Sequence, residues 1–175
     1  MTQVSNAGNQ NWGTPPEFLK AVERLFGMKL DFDLAATRQN TIMKNRFFTE
    51  KDDALNRSWK GIGRNLWLNP PFAFTGEPQK PGGKCFAEKC WEEAEHLNPD
   101  QRIFLLSRGS ISTEWFGKWV NGSAKVYAIF PRLKFVGAEA GYNAELVLAV
   151  FHPGRKPSGF WHWTWNDADS GPKKA

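Results

Sequence analysis

Arg64-Asn65-Leu66-Trp67-Leu68-Asn69-Pro70-Pro71-Phe72 is the stretch on which the fold turns. Residues 64–68 read as a short buried strand. Asn69-Pro70-Pro71 stops it abruptly, because proline offers no N–H to a ladder and fixes its own φ. In an open α/β sheet, ligands bind off the carboxyl ends of strands, so this turn stands where a site is expected. Before it, Thr14 reads as a helix N-cap, with Pro15 at the first helical position and Glu17 completing a capping box. Phe18, Leu19, Val22, Leu25 and Phe26 recur at helical spacing, and Gly27 ends the run. A short strand is predicted around 30–34. After the turn come a Gly/Pro-rich loop over 75–83 and a helix over 85–97. That helix carries Phe86, Cys90, Ala94 and Leu97 on one face, with Glu88, Glu92, Glu93 and Glu95 largely elsewhere. A buried strand over 102–107 and a helix over 112–120 with Trp115, Phe116 and Trp119 follow. Four strands then arrive with little between them, over 125–130, 132–136, 144–151 and 159–165. Strands that first alternate with helices and later run together predict an α/β domain. Its mainly parallel sheet is flanked by helices and carries antiparallel C-terminal strands.

The chain of 175 residues is 41% hydrophobic and 23% charged, which excludes wholesale disorder and suits one domain. Residues 1–11 read as a flexible lead-in, 12–165 as a single domain, and 166–175 as a frayed basic tail ending Lys173-Lys174. A net charge of +5 is compatible with a polyanionic partner without demanding one. Nine Trp and fourteen Phe against two Tyr suit a packed core with stacking surfaces at its rim. Phe160, Trp161, His162, Trp163 and Trp165 alternate, giving a Trp-only strand face expected to pack on the core or a partner subunit. Cys85 and Cys90 have neither redox nor zinc spacing, and no His is near them in sequence, so no metal is expected. Two free thiols fit a reducing compartment, and the lead-in is not a signal peptide. No apolar run approaches the ~20 residues that span a bilayer. A cytoplasmic protein without a membrane partner is expected.

The turn also points to a chemistry. An exocyclic amine on a nucleobase is a poor nucleophile, because its lone pair is delocalised into the ring. A site that methylates it must accept hydrogen bonds from the NH2 group and favour the tetrahedral form with a localised lone pair. The Asn69 side-chain oxygen can accept one bond. The Pro70 carbonyl, held by a ring-fixed φ, can accept the other. Phe72 can stack on the base, which must first leave the helix. Taken alone, Asn-Pro-Pro serves equally as a stiff strand-ending turn, with Phe72 in the core.

Other motifs surround it in a fixed order: Trp12-Gly13-Thr14-Pro15, Asp33-Leu34-Ala35-Ala36, Thr49 with Asp52-Asp53-Ala54-Leu55, Trp59, then Asn69-Pro70-Pro71-Phe72. The series resembles the phage-type DNA N-6-adenine methyltransferases (the small Dam family). Their pattern is W-x-T-P, D-x-A-A, T-x-x-D-x-L, a Trp, and N-P-P-[YF]. Residues 103–106, Thr113 to Phe116 and Arg132-Leu133-Lys134-Phe135 look like the family's later strand, T-x-W-F helix and R-L-x-F strand. The likeness covers roughly residues 12–151. It implies a Rossmann-like fold that uses S-adenosylmethionine to methylate adenine N6 in double-stranded DNA, with the adenine flipped out.

Carried over residue by residue, Asn69, Pro70, Pro71 and Phe72 match the catalytic motif. Thr14 and Pro15 match the segment that closes over the methionine part of the cofactor, and Trp12 either stacks on the cofactor or staples the first helix. Asp33 and Ala35 match the first-strand motif, with Asp33 the expected partner of the cofactor's ammonium or a bound water. Asp53 matches the acceptor of its adenine amine, and which of Asp52 and Asp53 faces the ligand stays open. The glycine-rich F-x-G-x-G is missing, so close backbone approach falls to Ala35 and Ala36. The stretch between Asp33 and Asn69 is short for a full βαβαβ half, and Glu50 is a weak stand-in for the usual ribose-binding acid. Phosphate contacts are sought among Lys80, Lys84, Arg108, Lys118, Arg132, Lys134, Arg155 and Lys156. The loop over 75–83 is either a substrate flap or an ordinary connection. Two competing readings are methylation of RNA or a protein glutamine by the same fold, and a non-enzymatic binding module using the Trp-rich surface.

Overall fold

The computed structural model describes residues 12–155 and 159–175, so the lead-in over 1–11 and Lys156 lie outside the described residues. Seven strands form one sheet: β1 Phe32–Asp33, β2 Asn65–Leu68, β3 Arg102–Arg108, β4 Ala124–Phe130, β5 Leu146–Phe151, β6 Phe160–Thr164 and β7 Lys173–Lys174. Their order across the sheet is β1-β2-β3-β5-β4-β6-β7. The pairs β1–β2, β2–β3 and β4–β6 are parallel. Strand β5 runs antiparallel to both its neighbours, and β7 antiparallel to β6.

Side chains alternate between two cores along each central strand, as the pleat requires. Ile103 and Leu105 of β3, with Val147, Ala149 and Phe151 of β5, face one core. Phe104, Leu106, Leu148 and Val150 face the other. Helix α2 (Phe86–His96) and a π-helical turn over Phe116–Val120 cover the first face. Helix α1 (Pro16–Phe26) covers the second with Phe18, Ala21 and Val22. The Trp face of β6 packs inward there too: Trp163 and Trp165 meet Phe18, and Trp161 stacks on Tyr127 at 5.4 Å.

Several elements differ from the sequence reading. Helix α1 is capped by Pro15 without a side-chain hydrogen bond, so Thr14 is not the N-cap and Glu17 closes no capping box. Gly27, at φ 61°, ends it in the left-handed conformation as the periodicity predicted. Residues 132–136 form no strand. Leu133 and Phe135 are buried while Lys134 and Val136 are exposed, a pattern that imitates a strand. Their neighbour is a loop, so only a single bridge, Gly13 to Val136, forms. Glu93 is buried with Lys89, because their side chains pair at 2.5 Å and Glu93 Oε2 accepts the Trp59 N–H at 2.7 Å. The expected frayed tail instead adds β7, and Ala175 N donates to Phe160 O at 3.0 Å.

Strand β1 is only two residues long and lies at the edge of the sheet. Backbone from the loop that follows covers its outer side: Asp33 N donates to Arg46 O, Phe48 N to Asp33 O, and Ala36 N to Phe48 O, all at 2.8–2.9 Å. The chain then returns to β2 through two 3-10 turns, Glu50–Asp52 and Ala54–Asn56, with no intervening helix. The carboxyl ends of β1, β2 and β3 are thus left open to one edge of the sheet.

Candidate active site

Asn69 follows the last residue of β2, where the pleat turns its side chain away from Leu68 and toward α1. Its Nδ2 donates to the Trp12 carbonyl at 3.1 Å and to the Thr14 hydroxyl at 3.2 Å. A carbonyl can only accept, so this contact fixes which end of the carboxamide is nitrogen. Oδ1 is left as the acceptor, and no described residue donates to it or to the Pro70 carbonyl. Thr14, 5% exposed, therefore spends its hydroxyl on Asn69 rather than on the helix end.

The turn divides two environments. Asn69 and Pro71 line a cavity of about 450 Å³ at the carboxyl ends of β1 and β2. Ala35, Ala36 and Thr37 line it after β1, Glu50 and Asp53 bring carboxylates, and Leu55, Phe74 and Phe86 supply an apolar wall. Phe72 packs against the core on the opposite face of the sheet and stays partly exposed. Its ring meets Tyr142 edge-on at 5.2 Å and Phe135 at 6.0 Å. Trp12 belongs to the same cluster, stacked on Phe135 at 5.8 Å.

Of the residues expected to hold a cofactor, Ala35 and Asp53 line the cavity, while Trp12, Thr14, Pro15 and Asp33 do not. Asp33 is 2% exposed and turned into the following loop, where Ile42 N donates to Oδ2 at 3.0 Å and Ala35 N to Oδ1 at 3.4 Å. Burial pushes its pKa up to about 6, against the pull of those amides and the Thr41 hydroxyl. Local structure gives Asp52 and Asp53 different surroundings. Asp52 Oδ2 accepts from the Thr49 N–H at 2.8 Å and its hydroxyl at 2.7 Å, closing a capping box. Those bonds hold its carboxyl below the usual range. Asp53, at φ 52°, is turned to the cavity with Oδ2 taking the Asn56 amide at 2.6 Å. The pattern Thr49-x-x-Asp52 was the available signal. Glu50, set aside in the sequence reading, also lines the cavity, as do Asn40 and Gln79. Asn40 Oδ1 accepts from the Thr37 N–H at 2.6 Å, closing a turn at the rim.

The candidate phosphate contacts scatter. Lys84 pairs with Glu92, Arg132 with Glu145 at 3.5 Å, and Arg155 with Glu95 at 3.1 Å. Arg155 sits beyond the end of antiparallel β5, on the far edge of the sheet from Asn69. Arg108 and Lys134 are exposed at a strand end and in a loop of the near edge, while Lys118 is exposed on the π-helical turn over the first face.

A cavity mixing two carboxylates, a fixed carboxamide and an aromatic wall suits a ligand that carries both a cationic group and a planar ring. The sheet beneath it, with parallel strands β1, β2 and β3 ending at the cavity's edge, has the fold of a class I S-adenosylmethionine-dependent methyltransferase. A Listeria monocytogenes structure described as such superposes with a TM-score of 0.52 at 10% identity, covering 97% of this chain and 69% of that one. The chain belongs to the DNA N-6-adenine-methyltransferase (Dam) family, whose model matches residues 1–151. The DNA N-6-adenine-methyltransferase of Escherichia phage T1 is 29% identical over 155 residues, 80% of this chain and 59% of that protein. The chain thus spans about three fifths of that relative's length.

Proposed function

We propose that this chain methylates the N6 amine of adenine in DNA, using S-adenosylmethionine and acting on a base turned out of the duplex in the host cytoplasm. The observation that carries the reading is the Asn69 carboxamide, clamped through nitrogen by Trp12 O and Thr14 Oγ1 so that its oxygen faces outward as an acceptor. Family membership supports the choice of adenine.

When bound, S-adenosylmethionine supplies a methyl carbon activated by a sulfonium. The cavity at Ala35 and Ala36 would hold it, with Asp53 and Glu50 as hydrogen-bond acceptors and Phe74 and Phe86 against its ring. Asn69 Oδ1 and the Pro70 carbonyl accept the two amine hydrogens. That pulls the lone pair out of conjugation and aims it across the turn toward the cavity lined by Pro71. Because proline restricts the turn, little reorganisation accompanies this polarisation. Phe72 seats the base, and the surplus proton leaves to water once the nitrogen has become cationic.

The test is transfer of a labelled methyl group to duplex DNA, RNA and protein in parallel, with wild type and Asn69→Ala. Label on adenine in DNA that disappears with Asn69→Ala, while DNA binding survives, is the expected result. Label on RNA or on glutamine instead would replace the proposed substrate.

A further inference from the structure

Among the described residues the exposed large apolar side chains are Ile111 at 61%, Val136 at 56% and Phe130 at 55%. All three lie at the carboxyl edge of the parallel strands, the edge that carries Asn69. Ile111 stands in the turn that follows β3, the strand adjoining β2 and its terminal Asn-Pro-Pro turn. Leu68, the last residue of β2, pairs with Leu105, and β3 continues three residues further to Arg108. At about 3.3 Å per residue, β3 overshoots its neighbour by roughly 10 Å and raises a lip beside the site.

The turn at the tip of that lip is tightly bonded. Gly109 N donates to Glu145 O at 2.9 Å, Ile111 N to Gly109 O at 2.7 Å, and Thr113 N and Oγ1 to Ser110 O at 3.0 and 2.6 Å. The turn fixes the Ile111 side chain outside both cores, at the edge that carries Asn69. At its base, Arg108 donates through Nε to the Tyr142 hydroxyl at 2.8 Å, with its guanidinium 5.9 Å from that ring. No described carboxylate pairs with Arg108, so its terminal nitrogens are oriented and available to an anion. A rigid apolar tip beside a free guanidinium suits a base stack flanked by phosphate.

Building on the methylation reading above, we infer that Ile111 enters the base stack of the duplex as the target adenine leaves it, with Arg108 on a flanking phosphate. An extruded base leaves a gap whose neighbours have lost their stacking, and an apolar wedge fills it. Tyr142 links this lip to Phe72, so the wedge and the proposed base seat belong to one connected cluster.

The experiment uses the whole chain and two synthetic duplexes carrying a site at which wild type methylates adenine. In one the adenine is paired with thymine; in the other it faces an abasic position, where extrusion is already favoured. Ile111→Ser is expected to slow single-turnover transfer about tenfold on the paired duplex and to stay within about twofold of wild type on the other. Ile111→Leu should keep the wild-type rate on both. Equal slowing on both duplexes, or none on either, would overturn the inference while leaving adenine methylation standing. Absence of transfer by wild type to any duplex would overturn both. An unchanged melting temperature for Ile111→Ser shows that the effect is not one of folding.

Discussion

The Thr14 hydroxyl accepts a hydrogen bond from Asn69 Nδ2 at 3.2 Å, joining the segment before α1 to the turn after β2. Together with the Trp12 carbonyl, it holds a carboxamide whose other end is offered to a ligand. Thr14→Val keeps the shape and removes the acceptor, leaving one amide hydrogen unpaired at a cost of about 1–3 kcal/mol. The expected outcome is a fall in kcat of about tenfold or more, with Thr14→Ser restoring most of it. Steady-state kinetics of methyl transfer to unmethylated duplex DNA checks this, and an unchanged kcat for Thr14→Val would detach Thr14 from the chemistry.

Asp52 and Asp53 are adjacent but sit differently, Asp52 in a capping box with Thr49 and Asp53 against the cavity. Asp53→Ala should weaken binding of the methyl donor by about tenfold, the loss of one hydrogen bond to a charged group. Asp52→Ala removes the capping box around Thr49 and should lower the melting temperature, with donor affinity changed less. Calorimetric titration of the donor and thermal melts on the two variants separate these outcomes.

Asp33 gives a pH signature. In the fold burial raises its pKa from 3.8 to about 6, so the folded chain holds this proton more tightly than the unfolded chain. Stability from this group is therefore fully present below about pH 3.8 and falls as pH rises toward about 6, by on the order of 3 kcal/mol in all. Above that range it contributes no further slope. Asp33→Asn should flatten this part of the stability profile, which urea melts between pH 4 and pH 7 (roughly the titration range) would show.

Gly76 permits a close approach in the loop after the Asn-Pro-Pro turn. A Cβ there would lie 2.3 Å from the Trp115 indole. The same loop carries Gln79 to the cavity, so the contact anchors part of its wall. Gly76→Ala should cost about 1–3 kcal/mol by overpacking and weaken donor binding. Shortening the opposing side chain should relieve it, so Gly76→Ala in a Trp115→Leu background should cost much less than in wild type. A double-mutant cycle with no coupling would contradict this.

Strand periodicity and the Asn-Pro-Pro turn were legible in the sequence because both are local. The alternation of Ile103, Phe104, Leu105 and Leu106 between two cores follows from the pleat, and the end of β2 follows from proline chemistry. Thr14 was misread because capping gave it a sufficient local purpose, whereas its partner Asn69 is distant in sequence. Residues 132–136 carry the burial alternation of a strand, but whether a ladder forms depends on what the fold sets beside them. Glu93 looked like a surface charge until Lys89 and the Trp59 amide met it inside. Asp33 is expected as a cofactor partner from its match to the family's first-strand motif. In the fold its carboxylate accepts from the loop amides of Ala35 and Ile42, partners that lie in the loop after β1.

The two-residue edge strand has an evolutionary consequence. Opposite Asn69, the pocket is enclosed by short turns fastened to β1 at only a few backbone points. Those turns can exchange residues without breaking the pairing of β2, β3 and β5, on which folding relies. Selection for a tighter or looser grip on the donor can thus act on one set of positions, while selection for a stable chain acts on another.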